Sequence, residues 1–255
     1  MRVSWLGCVI SALVVTTAFG QPAATQTATI PLTSGETLQD VQSILTTLAD
    51  IGDIRQADTD SAKTAVVVTG TAEQIAFARW LVGELDKPAT APFPANSAEH
   101  EYKMRGIADD LVRVLYLAHC ETPRNQQEVM TAIRAVENIR RLFPYPSRRA
   151  LTVRGTAADI ALAEWLVNEL DWPVNAQSSP PAGPRQYQVP GGNEVVRVFY
   201  IPRLQNAQEL QSVYSAVRSA TGARRMFPNS AHNALVVRGT VDQMAAAERV
   251  ISDRP

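Results

Sequence analysis

A chain of 255 residues with 24 basic and 25 acidic side chains carries a formal charge of −1 at pH 7. So even a balance argues against general nucleic-acid binding by net charge. Hydrophobic content of 45% with 19% charged residues excludes wholesale disorder. Two cysteines and three histidines exclude a disulfide scaffold and leave little for a structural metal site.

The chain opens on a secretory signal. Arg2 precedes an apolar run from Trp5 to Phe19, and Ala18-Phe19-Gly20 supplies the small residues of a cleavage site. Residues 1–20 are therefore read as a signal peptide, with an uncleaved anchor as the alternative. Cys8 lies inside the run, which disfavours a lipoprotein. With the signal removed, Cys120 is alone, either buried and inert or a site of intermolecular pairing. No later stretch reads as a membrane span, so the mature chain is expected to be periplasmic or secreted. Gln21 to Thr27 reads as disordered.

Residues 28–88 form the first of three copies of one unit. Ile44, Leu48, Ile51 and Ile54 mark an apolar helix face. Gly70-Thr71-Ala72 opens a second helix that ends in Trp80-Leu81-Val82-Gly83-Glu84-Leu85-Asp86-Lys87-Pro88. Residues 89–100 are a Pro/Ala-rich linker, expected to be extended. The second copy, residues 101–173, follows at an offset of 85: Val129, Ile133, Val136 and Ile139 repeat the apolar face, and Trp165 to Pro173 repeats the helix end. A Pro/Ser-rich linker, residues 174–185, leads to the third copy, residues 186–255. At an ungapped offset of 84, residues 112–156 match with 18 identities in 45 positions. Val112-Arg113-Val114 meets Val196-Arg197-Val198, and Ala150-Leu151 meets Ala234-Leu235; duplication is the only reading of this.

The third copy spells the unit out. Val195 to Ile201 is a strand. Asn206 with Glu209 starts a helix carrying Leu210, Val213 and Val217, which Gly222 terminates. Arg224 to Phe227 and Ala234 to Arg238 form a hairpin around Pro228-Asn229-Ser230. Gly239-Thr240, with Gln243, opens the last helix. The order is β-α-β-β-α, an α+β unit whose two helices cover one face of a small mixed sheet and leave the other open. Tyr102-Lys103-Met104, before a turn at Arg105-Gly106, and Tyr187-Gln188-Val189, before Pro190-Gly191-Gly192, predict an added edge strand. Such units bury small cores and are expected to lean on one another or on a partner. Trp80 and Trp165 occupy equivalent places in the last helix and are read as core packing, with a binding anchor as the alternative.

The run Asn233-Ala234-Leu235-Val236-Val237-Arg238-Gly239-Thr240, ahead of an amphipathic helix and behind a β-α-β start, resembles the secretin N-domain family. These are KH-like periplasmic repeat domains that precede the outer-membrane secretin channel. Leu85-Asp86 and Leu170-Asp171 match the family's helix end, while Thr64 and Arg149 replace its Asn. The resemblance implies ring-building modules that stack by sheet-to-helix contacts in type II or type III secretion or type IV pilus machines. No counterpart of the family's β-barrel follows the third copy, so the expectation is a vestibule used alone rather than a channel.

No catalytic constellation repeats, and no catalytic, cofactor or metal residues are expected. His119-Cys120-Glu121 is the best local cluster, but on a strand His119 and Cys120 point to opposite faces, and the third copy has Arg203-Leu204-Gln205 there. His100, His119 and His232 lack metal-ligand spacing. Arginine outnumbers lysine 21 to 3. Arg140, Arg141, Arg148, Arg149 and Arg154 gather on one hairpin, and Arg224, Arg225 and Arg238 repeat three of the places. They are candidates for binding a carboxylate-rich partner or a polyanion; the alternative is a solvated face paired with nearby acids. Residues 28–88 hold four basic and nine acidic side chains, residues 101–173 ten of each, and residues 185–255 nine and five. That gradient suits head-to-tail association. The expected function is an exported non-catalytic scaffold or docking protein of a secretion or pilus envelope complex. Its partner would be an envelope protein such as a secretin or pilus component, with homo-oligomers allowed. The alternative is a KH-like nucleic-acid-binding module for DNA uptake, opposed by the signal, the neutral charge and the missing Gly-x-x-Gly loop.

Overall fold

The computed structural model describes residues 24–34, 37–87, 96, 98–104, 110–137, 139–173 and 185–253. The signal segment, the turn at Arg105-Gly106 and most of both linkers lie outside them. The first module runs β1 (Gln26–Pro31), α1 (Leu38–Gly52), β2 (Gln56–Thr59), β3 (Ala65–Gly70) and α2 (Ala72–Leu85). The second runs β4 (Glu101–Lys103), β5 (Leu111–Tyr116), α3 (Pro123–Val136), β6 (Arg141–Tyr145), β7 (Ala150–Gly155) and α4 (Ala157–Leu170). The third runs β8 (Gln186–Gln188), β9 (Glu194–Tyr200), α5 (Ala207–Thr221), β10 (Arg225–Asn229), β11 (Ala234–Thr240) and α6 (Val241–Ser252). The repeated β-α-β-β-α order and both added edge strands are present.

The sequence signals account for the helix starts. Thr71, Thr156 and Thr240 each accept a hydrogen bond from the N3 amide, and the N3 side chain of Gln74, Asp159 or Gln243 in return accepts one from the cap's own amide. The preceding glycine makes room for that return. A Cβ on Gly70 would stand 2.7 Å from Gln74 Oε1, and one on Gly155 would stand 2.8 Å from Asp159 Oδ2. This is the physical content of the repeated Gly-Thr. Gly222 ends α5 in the left-handed region at φ 65°. Asn233 takes φ 47° at its hairpin turn, a conformation Asn tolerates, and Arg149 takes φ 48° at the same place.

Three expectations need correction. The sheets are not mixed: every pairing is antiparallel, with orders β1-β3-β2, β4-β5-β7-β6 and β8-β9-β11-β10. The helical crossover skips a place, so the first and second strands of each unit run parallel but are separated by the third. Gln26 and Thr27 are not disordered; they pair with Gly70 and Thr69 in β1. The linker 89–100 is ordered near its end, where Asn96 accepts from the Tyr116 amide at 2.7 Å and donates to its carbonyl at 3.1 Å, and Ala98–His100 form a 3-10 turn.

The open sheet face is the fourth correction, and it positions everything that follows. The outer face of the second sheet, with Val112, Val114, Tyr116, Tyr145 and Ala150, closes onto the core of the first module through Ile44, Leu48 and Ile51 of α1. Val196, Val198, Ala234 and Val236 of the third sheet close onto the core of the second in the same way. Strands β5, β7, β9 and β11 are thus buried on both faces. Helix α1 packs against β6, and α3 against β10.

Candidate functional site

The two junctions between modules are built from the same parts. The first part is an arginine. Arg154 lies on the outer face of β7, paired with Val112, and reaches the C-terminal end of α1. Its Nη1 donates to the Ile51 carbonyl at 2.5 Å and meets Asp53 Oδ2 at 2.8 Å, while Nε holds Asp110 at 2.7 Å. Arg238, at the same place on β11, donates to the Val136 carbonyl at 3.1 Å, pairs with Glu137, and holds Glu194 at 2.9 Å. Both guanidiniums neutralise the carbonyl end of the preceding module's first helix. At the first junction Arg141 adds a 2.8 Å contact to Asp53. Its guanidinium above all, opposed by burial and helped by Arg154, holds the Asp53 carboxyl below its ordinary range.

The second part is a tyrosine. Tyr116 donates to the Glu84 carbonyl at 3.1 Å and to its carboxylate at 2.9 Å, and Tyr200 donates to the Glu169 carbonyl. Burial, with the adjacent carboxylate, pushes both phenols above their usual range. The third part is a ring pair. Trp80 on α2 stacks on Tyr102 of β4 at 5.3 Å, and Trp165 on α4 stacks on Tyr187 of β8 at 5.7 Å. The added edge strands therefore carry the aromatic that grips the module before. The two tryptophans are partly buried packing residues, as their equivalent places predict.

The junctions differ in their ionisable groups. Around Glu84, Lys87 lies at 3.0 Å and His100 Nδ1 at 2.9 Å. Burial raises this carboxyl, but the Lys87, Tyr116 and His100 contacts outweigh it and hold the group below its ordinary value. At the second junction Trp172 replaces Lys87. Burial then dominates over Arg185 and Tyr200, and the Glu169 carboxyl is raised. His232 stacks on Trp172 at 4.4 Å, with Nε2 3.0 Å from the Trp172 carbonyl. Burial lowers its pKa against the opposing pull of Trp172, Asp171 and Glu128.

The His119-Cys120 pair sits in the loop after β5, not on a strand. The amides of Ala118, His119 and Cys120 donate to the Asp171 carboxylate at 2.5, 2.8 and 2.8 Å. Asp86 does the same for Thr33 and Ser34. This is what the Leu-Asp helix end does: its carboxylate clamps the loop that follows the first strand. In the third module Arg203 donates to the Ile251 carbonyl instead. Cys120 is 2% exposed, and burial, with Asp171 beside it, pushes the thiol well above its usual range. A protonated, enclosed thiol is a poor nucleophile.

The eight predicted arginines are divided by the fold. Arg141, Arg154 and Arg238 serve the junctions. Arg148 is 2% exposed, and Arg149 donates to the Ala118 carbonyl at 3.0 Å. Arg140, Arg224 and Arg225 are exposed, with Arg225 4.0 Å from Glu194. They do not form one strip. Sequence reading passed over Tyr116, Tyr200, Tyr102, Tyr187, Asp86 and Asp171 as contact residues. The signal was their recurrence at equivalent places. Among the described residues no group of three or more His, Cys, Asp or Glu could hold a metal ion, and no helix is long and apolar enough to cross a membrane.

No family model matches the sequence, and no curated protein matches it. Among solved structures, the N-terminal domain of the secretin XcpQ from Pseudomonas aeruginosa is 14% identical over 90% of this chain and 98% of that one, with a TM-score of 0.28. Aeromonas hydrophila ExeD is 16% identical over 91% of this chain, with a TM-score of 0.22. The type II secretion system secretin GspD of E. coli K12 is 13% identical over 91%, with a TM-score of 0.21. The chain spans 41% of the length of ExeD and 39% of that of GspD. Of these three, one is the N-terminal domain of a secretin and another a type II secretion system secretin, and each overlay is loose.

Proposed function

We propose that the chain is an exported, non-catalytic scaffold or docking protein of secretin-N-like modules, working in or beside a secretion or type IV pilus complex of the cell envelope. The observation that carries this reading is the junction, built twice from equivalent residues. One module's sheet seats on the helices of the module before, and arginine, tyrosine and tryptophan contacts set the register. The best candidate for chemistry is committed to structure: the His119 and Cys120 backbone amides donate to Asp171, and the Cys120 thiol is enclosed. Tandem modules of this kind present edges and end faces for partners. Arg140, Arg224 and Arg225 are the predicted partner-binding arginines still exposed. The repeated Gly-Thr and Leu-Asp motifs support the family setting, and the predicted signal segment supports export.

Cross-linking in intact cells, followed by pull-down from the envelope fraction, tests this. Recovery of a secretin or pilus component is the expected result. Recovery of DNA alone, released steeply by salt, overturns it in favour of the nucleic-acid reading.

A further inference from the structure

We propose that the groove between α1 and the outer edge of β2 is a docking site for one extended strand of a partner protein, apolar at alternate residues and basic between them. The inference rests on the docking role above and names its surface.

Strand β2 ends the order β1-β3-β2, so one of its edges is unpaired among the described residues. The equivalent edge strands of the other modules are blunted. β6 and β10 carry Pro144 and Pro228 opposite Leu151 and Leu235, and the first module has Thr59 at that place, opposite Val66. A proline has no amide to offer, which is how edges are kept from pairing with other chains. The Thr59 amide is not used by β3. It points outward and is held by the Asp58 carboxylate at 2.7 Å.

Helix α1 supplies the apolar wall. Leu38 is 63% exposed, and Leu45, two turns on, is half-buried. With Val41 and Gln42 they line the groove together with Asp58, Thr59 and Lys63. This side of α1 is not the side that β6 covers, because the junction contacts come from Asp40, Ile51 and Asp53. A strand added to β2 would place alternate side chains over Leu38 and Leu45, the arrangement by which sheet edges beside a helix capture extended peptides.

Charge decides the rest of the partner's chemistry. Exposed Asp58 sits on the edge itself and Lys63 lies elsewhere in the lining, in a unit whose residues 28–88 hold nine acidic against four basic side chains. A cation that pairs with Asp58 draws the carboxylate off the Thr59 amide and leaves that amide for the incoming strand.

The test uses the purified chain and a labelled seven-residue peptide of alternating Val and Lys, with blocked ends, read by fluorescence anisotropy. Saturable binding is expected, with the Val/Glu version at least about ten-fold weaker. Thr59→Pro, a residue the other two modules accept at this place, weakens binding about five-fold or more by removing the edge amide. Leu38→Lys, at an exposed site that does not threaten the fold, does the same. No saturable binding, equal affinity for the two peptides, or unchanged affinity in both variants overturns the proposal. Envelope cross-linking separates this failure from failure of the docking role. A full yield of envelope partner from Leu38→Lys excludes the groove and leaves docking standing, and the absence of any envelope partner from the unaltered chain sinks docking itself.

Discussion

Arg154 concentrates the logic of the junction in one side chain. It is 5% exposed, it is charged at every accessible pH, and its acceptors are a helix-end carbonyl and two carboxylates from different segments. Truncating it leaves Asp110, which is 14% exposed, without its main counter-charge, so the loss exceeds that of a surface pair. Arg154→Ala is expected to lower unfolding stability in urea by about 2–3 kcal/mol, discounted because Asp53 keeps Arg141 and water. Arg140→Ala, at an exposed site on the same hairpin, is expected to stay within about 0.5 kcal/mol. Sequence reading grouped these two arginines together, since composition and spacing do not distinguish a side chain aimed at solvent from one aimed at a carbonyl some hundred residues away. Cys120 shows the same limit from the other side. The string His119-Cys120-Glu121 suggests a nucleophile, and only the fold reveals three amides folded around Asp171. Iodoacetamide at pH 8 is accordingly expected to label Cys120 only after denaturation, a result mass spectrometry of the folded and unfolded chain reads directly.

The added edge strands are the elements that turn a chain of modules into a stack. β4 and β8 are three residues each, too short to stabilise a sheet much by pairing alone. Their weight lies in Tyr102 and Tyr187, which reach across to Trp80 and Trp165. Trp165→Ala and Tyr187→Ala are expected to be coupled by about 1 kcal/mol in a double-mutant cycle read by urea unfolding, beyond the area each buries. Additive losses would mean that the rings touch without holding. These strands were legible before the structure, because an aromatic ahead of a glycine turn and an apolar run has few other readings. The repeat offset, the capping boxes and the Gly222 terminus were legible for the same reason: each is a local rule. Closure of the open sheet face onto the module before was not, although the resemblance implied sheet-to-helix stacking and a trace was present. Val112, Val114 and Leu115 in β5 break the strict alternation of a strand wet on one face. Such a run marks burial on both faces without saying what lies on the second.

In the molecule as a whole, the carboxylates at equivalent places in two junctions of one design respond to acid with opposite signs. Glu84 is held below its ordinary value of 4.5 in the folded chain. Its contribution to stability is therefore complete above the unfolded pKa and is lost as pH falls through the lower, folded one. Glu169 is raised from the same value, so it costs stability while charged, and acid relieves the cost as pH falls through its folded pKa. His232 is lowered from 6.5, so the folded chain resists its protonation, and the second junction weakens as pH falls from the unfolded value toward the folded one. Glu169→Gln should raise the urea midpoint at pH 7, by less than about 1 kcal/mol in stability because the group keeps some access to water. Glu84→Gln should lower it at pH 7 and flatten its decline below about pH 4.5. His232→Gln should remove the slope between about pH 7 and pH 5.5 while leaving the more acidic limb intact. Trp172 lies against both His232 and Tyr200, and tryptophan fluorescence followed along each titration separates the second junction from global unfolding. A pH profile identical in all three variants would mean that these groups titrate as they do in the unfolded chain, and the two junctions would then differ in sequence without differing in behaviour.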